Sequence, residues 1–157
     1  MLASLALESL TDLDLELVEL ARSVIDANTD AGPDQDGAHT MGAAVRAADG
    51  RMFAGVNLYH FTGGPCAELV ALGTARTQGA REITTIVAVG NHGRGVVGPC
   101  GRDRQVLLDY HPGVRVILPT EHGLRSAPIA ALMPFAARWT IANGVDGIGL
   151  ERDRLDE

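Results

Sequence analysis

Apolar and polar positions along this chain fall into segments whose period switches between helix and strand. Either Thr11 or Asp12 can cap a first helix. Leu13, Leu17, Leu20, Ala21 and Val24 then form one stripe, while Asp14, Glu16, Glu19 and Arg22 face away, which predicts a helix running to about Asn28. The polar stretch NTDAGPDQDG reads as a loop. Two strands are predicted over 41–48 and 51–58, joined by a tight turn at Asp49-Gly50. HFTGGP is a second loop, and its Pro65 suits the opening of a helix from about Cys66 to Thr77. The run ITTIVAV at 83–89 is β-branched and almost continuously apolar, the mark of a strand covered on both faces. A Gly-rich loop, GNHGRGVVG, leads to Pro99. Beyond it the pattern predicts a helix over 100–109, a buried strand over 114–118 and a short helix over 127–133. The charged tail from Asn143 is expected to fray.

The predicted order is α-β-β-α-β-α-β-α, and a hairpin followed by βα alternation implies an α/β fold, a mixed sheet with helices on its faces. At 157 residues the chain is expected to form one domain, with a core over about 12–139 and an extension over 140–157. Apolar residues make up 46% and charged residues 21%, the composition of an ordinary globular protein. A net charge of −7 with no run of basic residues argues against nucleic acid as a partner. The N-terminal segment starts apolar but soon fills with Glu and Asp, and no apolar stretch approaches the ~20 residues of a membrane span. Neither an export signal nor a membrane contact is expected. Cys66 and Cys100 are the only cysteines. They could pair, but without an export signal a reduced, cytoplasmic setting is expected.

Candidate chemistry concentrates at two loop-to-helix junctions, GGPCAE at 63–68 and GPCG at 98–101. Each puts a cysteine at the first turn of a predicted helix, where free N–H groups and the helix dipole favour a thiolate. Glu68 follows Cys66 by two residues. Asp103 follows Cys100 by three, a spacing that places both on one helix face. Zinc accepts sulfur and carboxylate oxygen alike, and three protein ligands plus water is its catalytic arrangement. Cys66, Cys100 and Asp103 close that count. Each cysteine taken singly reads equally well as a small buried apolar residue. The five histidines stand at no ligand spacing.

Zinc deaminases carry a ligand-x-Glu pair followed by Pro-Cys-x-x-Cys. Cys66-Ala67-Glu68 and Pro99-Cys100-Gly101-Arg102-Asp103 match that pattern up to its last position. The chain resembles the cytidine deaminase superfamily in its three-cysteine branch, and within it the blasticidin-type enzymes, over 49–75, 86–113 and 132–139. The resemblance implies a three-layer α/β/α fold, a zinc cofactor and hydrolytic deamination of a cytosine-like base, nucleoside or nucleoside analogue. It makes Cys66 and Cys100 ligands and Glu68 the proton shuttle. Asp103 departs from the family while keeping the charge of a three-thiolate site, and Arg102 or Arg104 could hydrogen-bond it. Asn57 stands where the family grips ribose, but Tyr59 replaces the acid that cytidine deaminases carry, as in the blasticidin-type enzymes. That argues against a ribonucleoside specialist. By the same resemblance Thr40, Phe61 and Trp139 are candidate substrate contacts, though each also reads as a plain strand, packing or interface residue. Relatives are homotetramers with sites completed by neighbours, and the same is expected here. A degenerate member that binds without turnover is the alternative.

Overall fold

The structure, a computed structural model, describes residues 6–139. Thr11 rather than Asp12 caps the first helix, α1 (Asp12–Asn28). Its hydroxyl accepts from the Asp14 N–H while the Asp14 carboxylate accepts from the Thr11 N–H, a reciprocal capping box. The buried stripe of α1 is Leu17, Ala21 and Ile25, and Leu13 is 54% exposed. Leu13 lies one turn before the helix has settled on the sheet, so the expected stripe begins one turn late and gains Ile25.

Seven strands form one sheet: β1 (Glu8–Ser9), β2 (Met41–Ala47), β3 (Met52–Val56), β4 (Ile83–Gly90), β5 (Gly95–Val97), β6 (Arg115–Thr120) and β7 (Gly123–Pro128). The main order is β1-β7-β6-β4-β2-β3, with β5 paired to the far end of β4. β2 is antiparallel to both β3 and β4, and β6 is parallel to β4, so β3, β4 and β6 all run one way. The helices α2 (Ala67–Thr77) and α3 (Gly101–Tyr110) are the crossovers between them. Both therefore begin on the side of the sheet where β3 and β4 end, the edge at which open α/β sheets carry their ligand sites.

Three pieces differ from the sequence expectation. The Gly-rich loop contains β5, whose three residues are too few for a periodic signal. The helix expected over 127–133 is instead the end of β7 followed by a single 3₁₀ turn, Ile129–Leu132. β7 folds back on β6 through Glu121-His122 with Thr120 paired to Gly123, a turn that carries no Asn-Gly or Asp-Gly signature. Finally β1 pairs with β7, so the sheet reaches back beyond residue 12.

The core has two compartments, one on each sheet face. Val45, Ile86, Leu107, Val116 and the alanines of α2 fill one. Leu17, Ile25, Val87, Val89 and Ile117 fill the other beneath α1. β4 contributes to both, Ile86 and Ala88 to the first, Val87 and Val89 to the second, as its continuous apolar run predicts. The layering is α/β/α. No helix among the described residues is long and apolar enough to cross a membrane.

Candidate active site

Cys66 is the N-cap residue of α2 and Cys100 that of α3, both with extended backbone and neither side chain spent on capping. Two helix starts thus turn a thiol toward one another, with the sulfurs 3.8 Å apart. Asp103, one turn into α3, points the same way, and the Cys100 sulfur lies 3.2 Å from its Oδ2. One donor atom from each of Cys66, Cys100 and Asp103 lies within 4.8 Å of the others. Asp103 is 1% exposed, and its Oδ1 has no hydrogen-bond partner. A buried carboxylate oxygen without a donor is costly, and a cation held by all three groups would remove that cost. The donor set of two sulfurs and one carboxylate suits zinc.

Glu68 sits on the first turn of α2, 6% exposed, close enough to Asp103 to feel its charge. Burial first, and Asp103 second, raise the Glu68 carboxyl to about 7. The same two causes push the Cys66 thiol up to about 12. The thiolate preference expected from the helix start is therefore outweighed at Cys66, because burial, Asp103 and Cys100 all disfavour a negative charge there. A divalent cation held there would reverse that balance, since a coordinating thiol is deprotonated outright.

A cleft of about 270 Å³ opens onto these groups, lined by Met41, Asn57, Tyr59, Val97 and the four acidic side chains among others. Met41 and Val97 carried no functional signal in the sequence, since one reads as the opening residue of a strand and the other lies in the unrecognised β5. Two close approaches shape the cleft floor. A Cβ on Gly64 would stand 1.7 Å from the Leu58 carbonyl oxygen, and the Leu58 N–H donates to the Pro65 carbonyl. The 58–65 loop can fold back under α2 only with glycine there.

Asn57 lines the cleft, but most of its amide serves the backbone. Its Oδ1 accepts from the Thr40 and Met41 N–H groups at 2.9 Å each, and Nδ2 donates to the Ala38 carbonyl. One Nδ2 hydrogen is left for a ligand. Thr40 is not among the lining residues; its carbonyl accepts from Asn91 and Arg94 instead. Phe61, 89% exposed, stacks on His60 outside the cleft. Trp139 lies at the other end of α3, its N–H on Asp109 and its ring 6.2 Å from that of Tyr110. Tyr110 borders a separate hollow of about 370 Å³ between α2 and α3 that contains none of the clustered acids. In this chain, then, Thr40, Phe61 and Trp139 do not converge on the cleft.

Arg102 and Arg104 do not bond Asp103. Arg102 reaches toward the Gly63 and Gly64 carbonyls at 3.4 and 3.5 Å, and the Arg104 Nε donates to the Pro99 carbonyl at 2.9 Å. Flanking positions on a helix diverge by about 100° from the residue between them, so these guanidinium groups fan out to the two cysteine-bearing loops. They tether the loops rather than offset the Asp103 charge.

No family model matches the chain. It is 32% identical to the blasticidin-S deaminase of Bacillus cereus over 135 residues, 80% of this chain and 93% of the relative. It is also 32% identical to a cytidine deaminase of Mycobacterium tuberculosis over 114 residues, 71% of this chain and 78% of that one. Among solved structures, the cytidine deaminase of Burkholderia pseudomallei superposes with a TM-score of 0.63 at 28% identity, covering 81% of this chain and 99% of that one. With shared sequence over four fifths of its length, the same fold, and a Cys-Cys-Asp cluster beside a buried glutamate, this chain belongs to the cytidine deaminase superfamily and is a deaminase, a hydrolase of carbon–nitrogen bonds.

Proposed function

We propose that the chain is a zinc-dependent hydrolytic deaminase of a cytosine-like ring, presented as a free base, a nucleoside or a nucleoside analogue. The observation that carries this reading is the cluster itself: three donor atoms within 4.8 Å, one carboxylate oxygen buried and orphaned, and Glu68 buried beside them. Cys66, Cys100 and Asp103 would hold the zinc, which when bound would supply Lewis-acid activation of the attacking water. Glu68 takes a proton from the attacking water and delivers it to the ring nitrogen beside the amino-bearing carbon. It then carries a proton to the departing amine. The net exchange is C–NH₂ plus water for C=O plus ammonia, and Glu68 ends as it began.

The remaining Asn57 amide hydrogen and the Tyr59 ring flank the substrate's far side. With no acid beside Asn57, the cleft suits a base or a modified sugar better than a ribonucleoside, and blasticidin S is among the candidates. Leu58, Tyr59 and Val97 leave apolar area exposed around the cleft mouth, at 51%, 73% and 41%. A homotetramer in which neighbouring copies cover that mouth accounts for it, and it brings the Phe61 and Trp139 of other copies into play. A cytoplasmic setting, which would keep both thiols reduced, goes with this reading. Ammonia release by the zinc-loaded protein from cytidine, cytosine and blasticidin S tests the reading. Release from at least one is expected; release from none overturns it.

A further inference from the structure

Asp103 is the feature that a three-thiolate centre does not have. It is 1% exposed, its Oδ2 lies 3.2 Å from the Cys100 sulfur, and its Oδ1 is the one buried side-chain polar atom without a partner among the described residues. A carboxylate is a harder donor than a thiolate and offers two oxygens, so it accepts a wider range of metal–ligand distances and geometries. Soft thiolates favour zinc over its harder neighbours; oxygen donors narrow that margin.

We propose that Asp103 makes the centre a mixed sulfur–oxygen site of relaxed metal selectivity, one that accepts harder divalent ions such as Co²⁺ in place of Zn²⁺ far more readily than a Cys₃ centre on the same backbone would. This rests on the metal reading above. The two sulfurs, on the starts of separate helices, supply the affinity common to all such ions. The buried third position sets the preference. Arg102 and Arg104 bond backbone carbonyls of the loops and leave the Asp103 oxygens to the metal.

The test is metal competition on the whole protein. Chelator-stripped parent, Asp103→Cys and Asp103→Asn are equilibrated under reducing conditions with equal total Zn²⁺ and Co²⁺ in excess, desalted, and measured for metal content. The expected Co-to-Zn ratio is higher in the parent than in Asp103→Cys by on the order of tenfold or more, the lower end of what even ligand-supporting partners contribute to metal affinity. The thiolate-to-cobalt charge-transfer absorption should be weaker in the parent, with two sulfurs, than in Asp103→Cys, with three. Asp103→Asn should bind both ions more weakly than the parent. Equal ratios in parent and Asp103→Cys overturn this inference while leaving the metal reading intact. Undiminished zinc affinity in Asp103→Asn removes Asp103 from the centre. Metal binding by neither parent nor Asp103→Cys overturns the metal reading itself.

Discussion

Glu68 shows how a single position acquires its chemistry. It falls on the first turn of a helix whose start already faces Cys100 and Asp103, and burial there raises its carboxyl to about 7. As the proposed proton carrier it has no substitute within the cleft, where the other acids are the proposed metal ligands. Glu68→Gln keeps the volume and a hydrogen-bonding side chain but cannot exchange a proton. Loss of about 10²- to 10⁴-fold in turnover is expected, with metal content unchanged, measured by steady-state ammonia release beside elemental analysis. Turnover within a few-fold of the parent rules out the role. That Cys66, Cys100, Asp103 and Glu68 come together was legible in the sequence, because their residue types and spacing at two helix starts single them out. Where Arg102 and Arg104 reach was not, since adjacent residues on a helix look identical in a string and diverge in space.

At the scale of elements, the site depends on how closely α2 lies on β3. Ala67, Ala71 and Ala75 present a stripe without bulk to the sheet, all fully buried, and Gly55 of β3 lies beneath them. A Cβ on Gly55 would stand 2.4 Å from the Ala71 nitrogen and 2.9 Å from the Ala67 carbonyl oxygen, both backbone atoms that cannot swing aside. Gly55→Ala must lift α2, and Cys66 and Glu68 move with it. A loss of about 2 kcal/mol or more in stability, together with weaker metal retention, is expected by denaturant unfolding and metal analysis. Gly73 is the control on the same helix. A Cβ there meets nothing within 4 Å, so Gly73→Ala should stabilise by up to about 1 kcal/mol through helix propensity and leave the metal in place. If Gly55→Ala proves as benign as Gly73→Ala, the close packing of α2 is not what positions the site.

Across the whole molecule, the crowded acids tie stability to pH. The native metal-free protein binds the Glu68 proton more tightly than the unfolded chain, whose ordinary value is 4.5. That contribution is complete below pH 4.5 and is lost as pH climbs to about 7. Cys66, pushed up to about 12, acts above its ordinary 9.0 and leaves this window alone. Denaturant unfolding in the presence of a chelator should therefore show the parent losing stability from 4.5 to about 7 relative to Glu68→Gln, the difference reporting Glu68 together with its effect on Asp103. Parallel pH profiles for the two proteins contradict the assignment. On the proposed reading, added zinc should raise the midpoint of thermal unfolding, because a ligand that binds only the native state stabilises it. The exposed apolar rim of the cleft leads to a further expectation, that sedimentation shows a tetramer at assay concentration. An active monomer there is the result that defeats it.

Hydrophobic period and residue chemistry are local properties, so the order of the main helices and strands, the two-faced burial of β4 and the Cys66, Cys100 and Asp103 candidates for a metal could all be read along the chain. The short strands β1 and β5 and the return strand β7 could not, because they are held by cross-strand hydrogen bonds to partners far away in sequence rather than by any period of their own. The same limit applies to Thr40, Phe61 and Trp139. Their residue types suit a binding pocket, but what a side chain faces is set by the packing of elements distant in the chain. Only the tertiary arrangement decided that the cysteines of two separate helix starts meet at 3.8 Å, that Asn57 spends most of its amide on the backbone, and that one oxygen of Asp103 is buried with no donor of its own.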